Sequence, residues 1–166
     1  VVGLLGGRKQ TKTDLLLFFA TDIHGSRVCF KKFLSSLGFY GADVALLGGD
    51  MTGKMIVPIV HQGGGRYQAQ VGGQEVSLPE TEVPELEGRL ADAGYYPRKM
   101  ERDEYTDLEA HPGRVEELFA QSMVSTLRDW NELAEKKYAG TDTVIYVAPG
   151  NDDPWLIDEE LANLSR

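Results

Sequence analysis

The sequence predicts an α/β fold with a mainly parallel sheet flanked by helices. Three short runs of β-branched and large apolar residues lie at residues 15–20, 44–47 and 144–148, and a helical apolar pattern follows the first. Each run ends in a polar cluster, and in open α/β sheets the ligand crevice lies beyond the carboxyl ends of buried parallel strands. We therefore expect three strand ends to converge on one site.

The first part of the chain reads as a βαβ unit. Residues 15–23 are predicted as a strand, and residues 26–39 place apolar side chains at a nearly helical spacing. Ser26 is the expected N-cap of that helix. Residues 43–47 form a second strand, which a helical crossover makes parallel to the first. Cys29 lies in the apolar helical pattern and is expected to be a small core residue.

The middle of the chain, residues 54–111, has a different sequence pattern and is predicted to be an insert. Three short β-like runs separated by glycine clusters occupy residues 56–60, 66–71 and 75–78. The glycine clusters indicate hairpin turns, and the three runs are thus predicted to form a small antiparallel sheet. Apolar residues spaced by three and four then predict a helix that ends near Gly94. Residues 95–97 read as a loop or corner.

The last part of the chain returns to the α/β pattern. A long helix is expected over residues 112–138, a strand over 143–147 and a further helix over 154–164. Pro112 and Pro154 suit the first turns of the two helices. The length of 166 residues suits a single core, so residues 1–166 are expected to form one domain.

Composition narrows the classes of partner and location. With 26 acidic and 17 basic residues, the net charge of -9 repels a phosphate backbone, so long nucleic acid is a poor candidate partner. No apolar run approaches the ~20 residues of a membrane span. Residues 1–8 lack the features of a signal peptide, and one cysteine cannot form an internal disulfide, so a cytoplasmic protein is expected. The composition leaves open whether the chain forms a homodimer.

The polar clusters carry side chains that bind metal ions. Asp22 and His24 are two residues apart at a strand end, and strand alternation predicts that they point to the same side. Carboxylate oxygen and imidazole nitrogen together suit Mn, Fe, Zn or Ni better than Ca. Asp50 follows the second strand and has two oxygens with which to bridge a pair of ions. Asn151 offers a carbonyl ligand after the third strand.

In this order, the motifs resemble those of the calcineurin-like metallophosphoesterase superfamily: D-x-H, G-D-x-x-G and G-N-[HD]-[DE]. They stand here as Asp22-Ile23-His24, Gly49-Asp50-Met51-Thr52-Gly53 and Gly150-Asn151-Asp152-Asp153. The longer strings FFATDIHGS, LLGGDMTGK and VAPGNDDP look closest to the predicted phosphoesterases related to the Icc cyclic-nucleotide phosphodiesterases. The resemblance implies the amino-terminal part of an αββα sandwich that carries an unusually long insert.

The resemblance also implies a reaction and a set of site residues. Two divalent ions would lie at the strand ends, with Asp22 and His24 on the first, Asp50 bridging both and Asn151 on the second. A hydroxide held between the ions would attack phosphorus in line, which makes the chain a phosphoester hydrolase, expected to act on a small phosphodiester. Asp50, Asn151 and Asp152 are the residues this family pattern places at the reacting group.

Two departures from the family pattern keep alternatives open. Asp152 stands where much of the superfamily has His, and because an ordinary Asp is ionised at neutral pH and would repel the substrate, a structural role is an alternative. The family's later ligands, one His and a Gly-His-x-His element, have no counterpart in this chain. A non-catalytic metal- or protein-binding domain of the same fold is therefore one rival, and a nucleotide-binding α/β module with glycine-rich turns is another.

A few further side chains have both a functional and a plain interpretation. His61 would either lie over the site from the insert or be an exposed turn residue, and His111 is expected at a helix start. Lys54 could neutralise a substrate phosphate or be a solvated loop lysine. Three aromatic residues could stack on a base, although helical spacing favours core packing for the last of them: Tyr95, Tyr96 and Trp130.

Overall fold

A computed structural model describes residues 14–164, so the predicted absence of a signal peptide at residues 1–8 lies outside the described residues. The first sheet has three parallel strands in the order β1-β2-β7. Its strands are β1 Leu17–Ala20, β2 Val44–Leu47 and β7 Val144–Val147. Helix α1, Arg27–Tyr40, connects β1 to β2 and confirms the predicted βαβ unit. Strand β1 is shorter than predicted because the chain leaves the extended conformation by Asp22, which has a positive φ.

Local sequence signals set the ends of α1. The Ser26 hydroxyl accepts a hydrogen bond from the Cys29 backbone N–H at 3.2 Å, which satisfies a helix N–H that lacks an intrahelical partner. Gly41 ends the helix in the left-handed conformation, at φ 66°. The helix buries its apolar side chains at Phe30, Phe33, Leu34 and Leu37. Cys29 is exposed, so its expected core position is wrong.

The second sheet is built by the insert and has four strands in the order β5-β4-β3-β6. Its strands are β3 Ile56–Gly63, β4 Arg66–Val71, β5 Gln74–Pro79 and β6 Tyr96–Met100. The two predicted hairpins are confirmed, because β3 with β4 and β4 with β5 pair antiparallel across the glycine turns. Strand β6 pairs parallel to β3, so the predicted loop at residues 95–97 is wrong from Tyr96 onward.

Helices cover both sheets. A short 3₁₀ turn at Glu80–Glu82 leads into α2, Val83–Asp92, which buries Val83, Leu86 and Leu90. A helix that the sequence pattern did not reveal, α3, spans Arg102–Ala110, and α4 spans Pro112–Tyr138 as predicted. The last helix, α5, spans Leu156–Leu164. Trp130 of α4 is buried and stacks on Phe30 of α1 at a centroid distance of 4.4 Å, which confirms its core packing.

Within residues 14–164, the helices cover one face of the parallel sheet. On that face Ala45 and Leu47 are buried in the main core together with side chains of α1, α4 and α5. The opposite face presents two rows of register partners to the surface: Leu17, Val44 and Val144, then Phe19, Leu46 and Tyr146. Phe19 and Tyr146 are 57% and 59% exposed, so in the part of the chain that the structure describes this face is apolar and largely exposed, which is unusual for a parallel sheet.

None of the helices within residues 14–164 is both long enough and apolar enough to cross a membrane.

Candidate metal centre at the strand ends

The loops that follow β1 and β2 run side by side beyond the sheet. The Asp22 N–H donates to the Gly49 carbonyl at 3.1 Å, and the His24 N–H donates to the Asp50 carbonyl at 2.9 Å. A third bond, from the Gly25 N–H to the Met51 carbonyl, measures 2.7 Å. Backbone pairing therefore continues past the ends of both strands and holds the two polar clusters next to each other.

This pairing brings Asp22, His24 and Asp50 together. One ligand atom from each side chain lies within 4.8 Å of the others, and the His24 Nε2 is 3.8 Å from an Asp22 carboxylate oxygen. Asp22 is exposed, whereas His24 and Asp50 are partly buried. These two carboxylates and one imidazole are three of the four ligands predicted from the sequence, the fourth being Asn151, and such donors suit borderline divalent ions.

The same three residues have an unusual backbone conformation. Their φ angles are 56°, 42° and 50°, and within residues 14–164 no other non-glycine residue has a positive φ. Asp and His tolerate this region better than most residues, yet each instance costs on the order of 1 kcal/mol. Such strain persists only where the surrounding structure fixes it, and it concentrates at ligand sites. Asp22 and His24 therefore meet through a strained turn beyond the strand, and not, as predicted, because they alternate along it.

The loop after β7 supplies the third segment. Gly49 and Gly150 are in such close contact that a Cβ atom added to Gly49 would lie 2.6 Å from the Gly150 backbone. The Asp152 N–H donates to an Asp50 carboxylate oxygen at 3.1 Å. The Asn151 side-chain amide donates to the Asp152 carboxylate at 2.9 Å, and both side chains are exposed. All three strand ends therefore meet at Asp50.

Asp153, which the sequence did not single out, holds two of these loops together. Its carboxylate accepts hydrogen bonds from the Gly150 N–H at 2.8 Å, the Thr52 N–H at 2.8 Å and the Met51 N–H at 3.0 Å. The Thr52 hydroxyl donates to it as well, at 2.8 Å. Partial burial acts to raise the pKa of Asp153, but these hydrogen bonds outweigh it and lower the pKa below the ordinary value.

The other two histidines are held elsewhere. His61 lies in β3, stacks on Tyr67 at 4.9 Å and contacts the Glu101 carboxylate through Nδ1 at 2.9 Å. Neither of the two interpretations of His61 offered from the sequence describes this position, because the residue lies within a strand and contacts Glu101. His111 precedes α4, as expected, and contacts the Asp107 carboxylate at 3.1 Å. Neither residue belongs to the group formed by Asp22, His24 and Asp50.

Lys54 follows the Asp50 loop directly. Its ammonium group donates to the Ala93 carbonyl at 3.3 Å and lies 5.1 Å from the centre of the Tyr95 ring. The side chain is exposed, so a bound anion could draw it away from these weak contacts. Tyr96, by contrast, is buried and is not available for base stacking.

No protein-family model, curated protein or solved structure matches this chain. The described residues form an α/β protein in which Asp22, His24 and Asp50, a group that could hold a metal ion, lie together at the carboxyl edge of a parallel sheet.

Proposed function

We propose that this chain is a metal-dependent phosphoester hydrolase that acts on a small phosphodiester. The observation that carries the proposal is the convergence of Asp22, His24 and Asp50 at the strand ends, all three in a strained backbone conformation. The protein retains this strain although three uncharged residues in relaxed turns would cost less. Ion binding is a reason to retain it, because the strained turns aim three ligand atoms at one point.

The side chains around the strand ends have different roles in the proposed reaction. Asp22, His24 and Asp50 would hold a divalent ion, and Asn151, whose loop contacts Asp50, would hold a second ion that shares Asp50. When bound, such ions neutralise charge on phosphoryl oxygens and make a nucleophile from water near neutral pH. Asp152 serves through its backbone N–H, which orients the Asp50 carboxylate. Lys54 supplies a positive charge beside the loop for the substrate anion.

The exposure and charge of the site favour a small substrate. The site lies at loop ends rather than in a deep cavity, and Asp22 and Asp152 are exposed at its surface. The overall charge of -9 disfavours a polyanion, whereas a single phosphodiester carries one negative charge that bound cations offset.

The competing function is a non-catalytic metal- or protein-binding domain of the same fold. It is favoured by the small ligand set, because the described part of the chain offers one group of three ligands and its remaining imidazoles are paired with Glu101 and Asp107. This function requires metal affinity without hydrolysis. A nucleotide-binding module would instead bind nucleotide with the same affinity in the presence of a chelator.

Hydrolysis of bis(4-nitrophenyl) phosphate in the presence of Mn²⁺ separates these functions. We expect turnover that a chelator abolishes and that Asp50→Asn lowers by about 100-fold or more, since metal-site substitutions of even supporting residues cost ~10- to 100-fold. Asp142→Asn is the matched control, because Asp142 is an exposed residue before β7 and outside the metal group.

Chelator-resistant hydrolysis, or full activity of Asp50→Asn, contradicts the proposal. Metal binding with no hydrolysis of this or other phosphodiesters would favour the non-catalytic domain.

A further inference from the structure

The insert returns to the metal loops at Gly94, between α2 and β6. The Lys54 N–H donates to the Gly94 carbonyl at 2.9 Å, so Gly94 lies next to the first residue of the insert, beside the loop that carries Asp50. The Tyr96 N–H donates to the Met55 carbonyl at 2.9 Å and begins the pairing of β6 with β3. These two backbone hydrogen bonds hold Gly94 and Tyr96 close to the loop that carries Asp50.

Three glycines at this junction leave no room for side chains. A Cβ atom on Gly25 would lie 2.7 Å from the Gly53 nitrogen, and one on Gly53 would lie 2.6 Å from the Gly94 carbonyl oxygen. A Cβ atom on Gly94 would overlap the carbonyl oxygen of His24. The loop after β1, the loop after β2 and the insert therefore pack backbone against backbone, directly behind His24.

Tyr96 adds a hydrogen bond to this junction. Its hydroxyl oxygen accepts the Gly53 N–H at 2.7 Å, and its buried ring lies edge-on to Phe119 at 5.6 Å. Burial raises the pKa of Tyr96 to about 12, so the hydroxyl stays neutral in the neutral range. The carboxylate of Asp153 binds the preceding N–H groups of Met51 and Thr52. Every backbone N–H from Met51 to Gly53 is therefore held by a side chain.

We propose that Tyr96, together with Gly94, is a positioning residue of the metal centre, so that the insert fixes the loops carrying His24 and Asp50. This inference rests on the proposed metal site. The ligands themselves lie on strained loop residues, and such conformations persist only when neighbouring structure determines them. The insert supplies part of that structure through one hydroxyl and one backbone contact, and neither belongs to the group of ligand atoms.

Tyr96→Phe removes the hydroxyl and keeps the ring, and Tyr95→Phe is its matched control. Tyr95 is half-buried, and within residues 14–164 its hydroxyl makes no hydrogen bond. Calorimetric titration with Mn²⁺ should show an affinity about tenfold lower for Tyr96→Phe, as for other residues that support metal ligands, and an unchanged affinity for Tyr95→Phe. A purely structural hydroxyl would lower the thermal midpoint of the metal-free chain and leave the Mn²⁺ affinity of the folded protein unchanged.

Gly94→Ala tests the backbone contact with His24, and Gly73→Ala is its control. The two glycines have similar angles, φ 85° and φ 79°, but a Cβ atom on Gly73 would meet nothing within 4 Å. Both variants carry the same local penalty for a positive φ. We expect the Mn²⁺ affinity to fall in Gly94→Ala by more than the tenfold of Tyr96→Phe and to stay unchanged in Gly73→Ala.

Backbone amide shifts of the metal-free chain test the inference without an ion. In Tyr96→Phe, the amide resonances of His24, Gly25 and Gly53 should move by more than those of the hairpin glycines. Equal Mn²⁺ affinity in Tyr96→Phe and the unchanged chain, with those amide resonances unmoved, would overturn the positioning role. If the unchanged chain binds no Mn²⁺, the proposed function fails instead, and the amide shifts alone decide whether Tyr96 positions the loops.

Discussion

Asp22, His24 and Asp50 oppose stability in the metal-free protein. Two of the three are carboxylates, their ligand atoms lie within 4.8 Å of one another, and all three adopt positive φ angles. Like charges and strained backbone both raise the free energy of the folded state. A bound cation would relieve the charge repulsion. The arrangement is therefore favourable for binding a cation, although it lowers the stability of the metal-free protein.

Asp153 has the opposite role, and its removal should weaken the fold. We predict that Asp153→Asn lowers the free energy of unfolding at pH 7 by about 1.5 to 3 kcal/mol, the usual range for hydrogen bonds to a charged group. Urea denaturation measures this change. Asp152→Asn is the matched control, since its exposed side chain accepts one bond from Asn151 and should cost less than about 0.5 kcal/mol.

The effect of Asp153→Asn should depend on pH. The pKa of Asp153 is lowered in the folded chain, so its contribution to stability is present above the unfolded value of ~3.9 and is lost as pH falls through the folded value. The difference between the two proteins should therefore shrink in acid. A difference that stays constant from pH 7 down to acid unfolding would contradict this account of Asp153.

Helix α5 anchors the loop that follows β7. It begins at Leu156, just after Asp153, and is held to α4 by a bidentate ion pair. The Arg128 guanidinium donates to the two carboxylate oxygens of Glu160 at 2.6 and 3.0 Å. Glu160 is buried, and its pKa is lowered chiefly by the hydrogen bond from Arg128.

Glu160→Gln should loosen α5. We predict a loss of about 1 to 2 kcal/mol in the free energy of unfolding by urea, less than for a fully buried pair because the Arg128 side chain is 60% exposed. Glu159→Gln is the control, because Glu159 is an exposed residue of the same helix. Equal stability of both variants would show that the ion pair does not anchor the helix.

Elements with a strong periodic pattern were predictable, and two weaker ones were not. Helix α4 spans residues 112–138 as its apolar spacing predicts. Strand β6 contains Pro97, which reads as a turn signal, but β6 is an edge strand and such strands tolerate proline. Helix α3 is mostly polar and buries a single residue, Leu108, so its sequence lacks an apolar stripe.

The order of the motifs along the chain predicts which loops lie together in the folded molecule. It does not predict which side chains hold those loops in place. Parallel pairing of β1, β2 and β7 places three strand ends at one edge, and the sequence shows this through its apolar runs. Asp153 contacts Thr52 across 101 residues, and Tyr96 contacts Gly53 across 43. Neither contact leaves a local pattern in the sequence, so the supporting residues became visible only in the folded chain.

We expect the group formed by Asp22, His24 and Asp50 to bind a divalent cation. Calorimetric titration of the metal-free chain with Mn²⁺ at neutral pH tests it most directly, with His24→Ala as the probe and His111→Ala as the control, since His111 is exposed and pairs with Asp107. We predict saturable binding by the unchanged chain and by His111→Ala, and a loss of about 100-fold or more in His24→Ala. Absence of saturable binding, or binding that is undiminished in His24→Ala, would contradict cation binding at this group.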